Sequence, residues 1–176
     1  LFGVLYTLFG KVTYIIFSKI QSKYGIIVST ILGGIVLGIM GMYMPLVMFS
    51  GEAGIIELQT EYQKYTGWAL ITIGTLKLLI TNVCIKSGWK GGHFFPVIFC
   101  GISIGYGLAL LLNLSIAFCA AVITAGLLGA TMKKPLSVTL LLLLCFDIRI
   151  VPWMLIAAFI GSVIPTKQEA LKDSNI

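Results

Sequence analysis

Residues 94–132 read FFPVIFCGISIGYGLALLLNLSIAFCAAVITAGLLGATM and contain no charged side chain. Two further uncharged runs cover residues 135–146 and 150–166. Of the 176 residues, 59% are hydrophobic and 10% are charged, whereas soluble domains carry about 25% charged residues. Lipid tolerates such runs as helices, because a helix satisfies its own backbone polar groups. The sequence therefore predicts an all-α integral membrane protein.

The apolar runs differ in length, which predicts about eight helices, several of them too short to cross a bilayer. The runs at 1–20, 26–49 and 68–85 are each close to the roughly 20 residues that a span needs. The run 94–132 is too long for one helix, and Asn113 is its predicted break. Pro135 to Phe146 would cover only about 18 Å of a core about 30 Å thick. The remaining predictions are a polar turn at 21–25, a short amphipathic interfacial helix within 50–67, and a short helix from Pro152 to about Ile164.

The charged and chemically reactive residues exclude several classes of function. The net charge is +6, but the basic residues are scattered near the ends of apolar runs. That pattern is typical of helix flanks that contact lipid headgroups, so no nucleic-acid partner is predicted. The single histidine excludes a multi-histidine metal site, and the four cysteines lack CxxC spacing and are expected to be buried thiols. We predict no catalytic residue, no metal and no cofactor, and an intramembrane enzyme is disfavoured.

A glycine-rich break separates two of the long runs and reads Ser87-Gly88-Trp89-Lys90-Gly91-Gly92-His93-Phe94-Phe95-Pro96. Gly91 and Gly92 are predicted to let the backbone turn sharply and approach a ligand. Pro96 suits the first turn of the helix that follows. The amides of residues 93–95 would then point outward at the positive end of the helix dipole. Such a helix start favours an anion, and chloride can be held there without a full opposing charge.

The same stretch resembles the GxFxP motif of the ClC family of chloride channels and chloride/proton antiporters, in its usual setting SG-x-x-GG-x-F-x-P. Lys77 lies in the preceding run, where many ClC proteins carry a basic residue. Downstream, the family's small-residue spacing and its next signature are matched by Gly101-xxx-Gly105, Gly126-Leu-Leu-Gly129-Ala130 and Lys133-Lys134-Pro135-Leu136-Ser137. The resemblance covers nearly the whole chain, from about Leu1 to Pro165.

The resemblance implies the domain organisation and the partners. Residues 1–165 are expected to form the second of two inverted halves of a ClC membrane domain, and residues 166–176 a polar C-terminal tail. The chain opens inside an apolar stretch, so we expect it to be a fragment of a longer protein. The N-terminal half of that protein is then an expected partner of this chain. ClC proteins are homodimers, and the helices at 135–146 and 152–164 are expected to contribute to the dimer interface. The expected location is the plasma membrane of a prokaryote.

The resemblance also implies which residues hold the anion. In the family the GxFxP amides line the central anion site, and the matching amides here are those of His93 and Phe94. The surrounding loop consists of Gly91, Gly92, Phe95 and Pro96. Lys77 and Lys90 are candidates for electrostatic attraction of anions. The alternatives are that Lys77 pairs with a helix C-terminus and that Lys90 contacts headgroups, and the His93 side chain either titrates near the pore or only faces a polar vestibule.

The predicted function is chloride transport, as part of a voltage-gated channel or a chloride/proton antiporter. The sequence does not distinguish a channel from an antiporter. The family's gating glutamate, in the motif GREGP, and its central serine, in the motif GSGIP, would both belong to the first half of the membrane domain. The alternatives are the fluoride-exporting ClC branch, against which Phe94 argues, and a non-conducting half-transporter or accessory subunit. Leucine near Leu144 stands where the family commonly has an acidic residue, and no tyrosine follows Tyr106. Either the chain stops before the family's central tyrosine or this subfamily lacks it. These departures indicate a divergent prokaryotic member.

Overall fold

The computed structural model describes residues 2–48 and 51–163, and over these ranges it contains seven α-helices, three 3-10 turns and no strand. The helices are α1 (Phe2–Tyr43), α2 (Glu52–Glu61), α3 (Gly67–Ser87), α4 (Phe94–Leu112), α5 (Ile116–Met132), α6 (Pro135–Leu142) and α7 (Val151–Val163). Three of them, α1, α3 and α4, are long and apolar enough to cross a membrane. The prediction of an all-α membrane protein with helices of unequal length is confirmed.

Helix α1 contains the first two predicted helices, divided at one residue. Gly25 has φ 84° and ψ 168°, which interrupts the helix. The interruption is narrower than the predicted turn at 21–25, because residues 21–24 remain helical and a single glycine can adopt this backbone conformation. We call residues 2–24 the first arm and residues 26–43 the second arm.

The two arms run along α3 in opposite directions. In the first arm, Gly10 lies beside the Asn82 side chain, and the later Gln21 reaches the carbonyl of Lys86. In the second arm the order is reversed, since Thr30 contacts Ser87, whereas Val47, which follows the arm, contacts Lys77. The bend at Gly25 therefore lies at the C-terminal end of α3.

The segment between α1 and α3 forms the short helix that the sequence predicts within residues 50–67. Helix α2 has 10 residues, or about 15 Å of length, half of a hydrocarbon core. Leu58 is fully buried, while Glu61 and Lys64 form an exposed ion pair of 2.7 Å. The hydrogen bond from Lys64 to Glu61 raises the pKa of Lys64. An interfacial location for α2 stays a prediction.

The predicted breaks in the second half are confirmed, with one difference at α6. Asn113 and Lys133 follow α4 and α5 with left-handed φ angles of 54° and 58°. Helix α6 ends at Leu142, four residues before the predicted Phe146, and the chain continues in turns. Cys145 in these turns is exposed and Cys84 is half-buried, so the expectation of four buried thiols holds only for Cys100 and Cys119. The predicted tail at 166–176 lies outside the described residues.

Helix α4 lies at the centre of the fold, between α3 and α5. Its fully buried side chains include Val97, Phe99, Cys100 and Ile104. A Cβ at Gly101 would meet Thr124 and one at Gly105 would meet Ala120, so α4 and α5 are antiparallel and touch through small residues. This packing holds α4 in place and leaves its first turn next to the α3–α4 loop.

A candidate anion site at the start of α4

The loop that leads to α4 begins with a glycine that ends α3. Gly88 has φ 106° and ψ 5°, and the amide of Trp89 donates to the Cys84 carbonyl at 3.2 Å. Left-handed glycine is a common way to end a helix. Gly91 and Gly92 have φ angles outside the left-handed region. The sharp turn predicted at those two glycines is therefore made by Gly88.

The start of α4 presents amides that the helix itself does not use. The helix begins at Phe94, and Pro96 is buried in its first turn, as the sequence predicts. Its first helical hydrogen bond runs from the Val97 amide to the His93 carbonyl at 3.2 Å. The amides of His93, Phe94 and Phe95 precede that bond and have no carbonyl of their own helix to bond with. They lie at the positive end of the α4 dipole, which favours an anion.

A cleft of about 560 Å³ adjoins this loop. It lies between the second arm of α1, the segment around Val47, α3 and the loop, and its lining includes five predicted site residues: Lys77, Lys90, Gly91, Gly92 and Pro96. A Cβ added to Gly91 or Gly92 would meet no atom within 4 Å. The loop backbone is therefore open to a ligand on the side of the cleft.

The other three predicted site residues lie outside the lining of the cleft. His93 is half-buried, and its side chain makes no capping hydrogen bond to α4. Phe94 packs against the buried cluster of α4 and α5, whereas Phe95 is 47% exposed. The two rings meet edge to face, with centroids 5.5 Å apart.

Lys77 is buried in the cleft wall, with only 2% of its surface exposed. Its Nζ donates to the carbonyls of Val47 and Met48, and it lies 5.7 Å from the centre of the Phe99 ring. Val47 is the last residue of the 3-10 turn Pro45–Val47. The contact is therefore a pairing with the carbonyl end of a helical turn, and it places a positive charge beside the cleft.

Sequence reasoning missed the residues that hold the C-terminal end of α3. The Ser87 carbonyl accepts a hydrogen bond from Ser29 Oγ at 3.0 Å. Thr30 Oγ1 shares its one hydrogen between the Ile26 carbonyl at 2.9 Å and the Ser87 carbonyl at 3.1 Å. The Trp89 indole Nε1 donates to the Thr30 carbonyl at 3.1 Å. A signal was present, because Ser29 and Thr30 are polar residues in an apolar run and such residues need partners in lipid.

Nothing in the ranges 2–48 and 51–163 groups three or more His, Cys, Asp or Glu residues where they could hold a metal ion. The polar side chains that line the cleft include Lys77, Lys90 and Thr81. The two lysines give the cleft positive charge, which favours an anion.

The family model for voltage gated chloride channels matches residues 1–166. The chain belongs to the ClC family. The predicted membership is thus confirmed, and together with the apolar helices it identifies the chain as an integral membrane protein.

Among the proteins similar to this chain are several from bacteria. Over 112 residues the chain is 31% identical to the H(+)/Cl(-) exchange transporter ClcA of Vibrio parahaemolyticus, which covers 60% of this chain and 23% of that protein. The ClcA of Vibrio campbellii matches to the same extent. The putative ion-transport protein YfeO of Escherichia coli is 29% identical over 75 residues, 42% of this chain and 18% of that protein. The matched region thus spans less than a quarter of these relatives, and no solved structure matches the chain.

Proposed function

We propose that the protein containing this chain transports chloride across a membrane, and that the start of α4 holds the ion. One observation carries the proposal: in a ClC-family chain, the glycine pair Gly91 and Gly92 is followed by the cap residue His93 and the start of α4, whose first amides have no partner in their own helix. The relatives named as H(+)/Cl(-) exchange transporters support chloride as the ion. Fluoride export is the competing candidate from the sequence.

In the proposed mechanism the ion binds to backbone amides and not to a charged side chain. The amides of His93 and Phe94 supply partial positive charge, which is enough to replace part of the ion's hydration shell. A full charge in direct contact would hold the ion too long for transport. Lys77 donates to carbonyls, so its charge acts on the cleft from a distance. Lys90 is exposed at the cleft and would attract anions toward it.

Coupling to protons and the dependence on voltage belong to the proposal for the whole protein. The names of the ClcA relatives favour an exchanger over a channel. The measurement is chloride efflux from liposomes that contain the full-length gene product, with pH recorded at the same time. We expect efflux with accompanying proton movement. Flux of fluoride with no flux of chloride would establish the fluoride branch, and no anion flux at all would support a non-conducting subunit.

The ion position has its own test, which needs no variant. Crystals of the full-length protein grown in bromide would show the anion by anomalous scattering. We expect a bromide within hydrogen-bond distance of the amides of His93 and Phe94. Bromide flux together with bromide sites elsewhere would contradict the role of the α4 start while leaving anion transport intact.

We also propose that two copies associate through α6 and α7. These helices expose large apolar side chains, among them Leu136, Leu140, Ile156, Phe159 and Ile160. Light scattering on the purified full-length protein should give the mass of a dimer. Leu140→Arg should shift that mass toward one copy, whereas Ile35→Arg on the equally apolar surface of α1 should not. An equal shift for both variants would contradict this interface.

A further inference from the structure

We propose that Trp89, Ser29 and Thr30 are positioning residues that hold the end of α3 and the anion loop against the second arm of α1. The proposal rests on the proposed function, since it concerns the same site. None of the three was among the predicted anion-site residues. Two contacts carry the argument: the hydroxyl cap on the Ser87 carbonyl and the indole hydrogen bond to the second arm of α1.

The first contact fixes the end of α3. The last carbonyls of a helix lack intrahelical donors, and in an apolar surrounding each needs a partner. Ser29 Oγ gives its hydrogen to the Ser87 carbonyl at 3.0 Å and accepts one from Gln21 Nε2 at 3.2 Å. Gln21 also donates to the Lys86 carbonyl at 3.0 Å. Ser29 and Ser87 are both fully buried, so water does not replace these bonds.

Small residues allow this contact to be close. A Cβ at Gly33 would overlap the Ser87 side chain, and one at Gly34 would lie 3.5 Å from the Trp89 ring. The second arm of α1 therefore presents a flat face to the end of α3 and to the indole. The hydroxyls of Ser29 and Thr30 lie beside that face.

The second contact fixes the loop itself. Only residues 88–92 separate the end of α3 from the helix cap His93. Within this stretch, Gly91 and Gly92 have open space at their Cβ positions, while the Trp89 indole donates to the Thr30 carbonyl at 3.1 Å. Trp89 thus attaches a short loop to a neighbouring helix, and only residues 90–92 separate it from His93, the first of the proposed anion-binding amides. Loss of that attachment would let the amides move relative to each other and weaken the site.

The test uses the full-length protein in liposomes and separates chloride affinity from maximal rate. We expect Trp89→Phe, which removes the indole N–H, to raise the half-saturating chloride concentration about two- to tenfold, the equilibrium effect of one hydrogen bond. Trp68→Phe is the matched control, because Trp68 is 70% exposed at the opposite end of α3. Thr30→Val should act in the same direction as Trp89→Phe, and Thr30→Ser should restore the wild-type value because it keeps the hydroxyl.

A second readout distinguishes failure of this proposal from failure of the proposed function. Hydrogen exchange of the amides in residues 88–95 should accelerate in Trp89→Phe, while that of α5 stays constant. Wild-type protein without chloride flux would contradict the proposed function, and the exchange result would still decide the positioning role. Wild-type chloride affinity and exchange in Trp89→Phe would overturn the positioning role. So would an equal change in Trp68→Phe, or a Thr30→Ser variant no better than Thr30→Val.

Discussion

Two glycine-rich regions of the molecule use the same residue for opposite purposes. At the crossing of α5 and α7, a Cβ on Gly129 would overlap the backbone of Ala158, and one on Gly161 would overlap the Gly126 carbonyl. In the α3–α4 loop, a Cβ on Gly91 or Gly92 would meet nothing within 4 Å. The first pair is glycine because the neighbouring helix fills the space. The second pair has no neighbouring atom of this chain within that distance, and it lies in the loop where we propose that the anion binds.

The contrast gives a criterion for interpreting glycines in a membrane protein. Small residues in helices permit close packing, which drives association in lipid because apolar burial alone gains little there. A glycine without neighbours and without a left-handed φ angle is explained by neither packing nor backbone conformation. Substitutions of the glycines at the α5–α7 crossing should therefore lower stability. Substitutions of Gly91 or Gly92 should leave stability nearly unchanged and alter anion transport.

The largest effect is expected at the helix crossing. Gly129→Val should destabilise the protein by about 3 kcal/mol or more, because the obstacle is backbone and cannot move aside like a side chain. Gly126→Ala is the control, since its Cβ would lie at an ordinary 3.6 Å from the Ala157 carbonyl. The measurements are the thermal midpoint and the monodisperse fraction in detergent. Equal thermal midpoints for the two variants would mean that α5 and α7 have room for a side chain at Gly129.

The next effect concerns the charge beside the open region. Lys77→Met should cost about 1–3 kcal/mol, because the carbonyls of Val47 and Met48 lose a donor. Lys86→Met makes the same chemical change on the same helix at a half-buried site. It removes only the contact of Lys86 Nζ with the Tyr14 ring at 5.6 Å and should cost less than about 1 kcal/mol. Thermal unfolding in detergent compares them. A stable Lys77→Met variant with weakened chloride affinity would show that the lysine acts mainly on the ion.

A smaller effect separates the glycine that makes the turn from the glycines that follow it. Gly88→Ala should cost about 1–2 kcal/mol, the strain of a left-handed residue with a side chain, and its Cβ would also meet Thr30 Oγ1 at 3.1 Å. Gly91→Ala serves as the control, because it has neither the φ angle nor the contact. If both variants unfold at the same temperature, the turn does not depend on Gly88.

The smallest effect on stability is expected inside the loop. Gly92→Ala should change the free energy of unfolding by no more than about 0.5 kcal/mol, as at other open surface positions. Its methyl group would point into the open space of the loop and should raise the half-saturating chloride concentration. Flux in liposomes measures this. A loss of folded protein instead would show that Gly92 has a packing role and would remove the contrast between the two regions.

Much of the fold follows from the sequence, because apolar length and helix-breaking residues are local signals. Asn113, Pro135 and the run 68–85 mark helix ends that the structure confirms. The exception at residues 21–25 is instructive, since Gly25 alone interrupts α1 and the polar residues before it stay helical. Of the polar residues in that stretch, Gln21 contacts the end of α3 through the Lys86 carbonyl, whereas Ser22, Lys23 and Tyr24 are exposed on the helix.

The sequence predicts the features of the site that depend on neighbouring residues, but not the contacts between residues far apart in the chain. The start of α4 after a glycine pair and the proline in its first turn are properties of neighbouring residues. The Lys77 contacts with Val47 and Met48, and the Ser29 contact with Ser87, join positions far apart in the chain. No residue type or spacing encodes such pairs. A polar residue in an apolar run predicts that it has a partner, but the partner is known only once the helices pack.

The contact between α1 and the end of α3 also sets an order of events during synthesis. Gln21 and Ser29 bond to carbonyls 65 and 58 residues later in the chain. At roughly 5–20 residues per second, those carbonyls are made about 3–13 s after the side chains that cap them. During that interval the polar groups of α1 must bond to their own backbone or to water. The hydrogen bonds from Gln21 and Ser29 to the end of α3 can therefore form only after α3 has been synthesised.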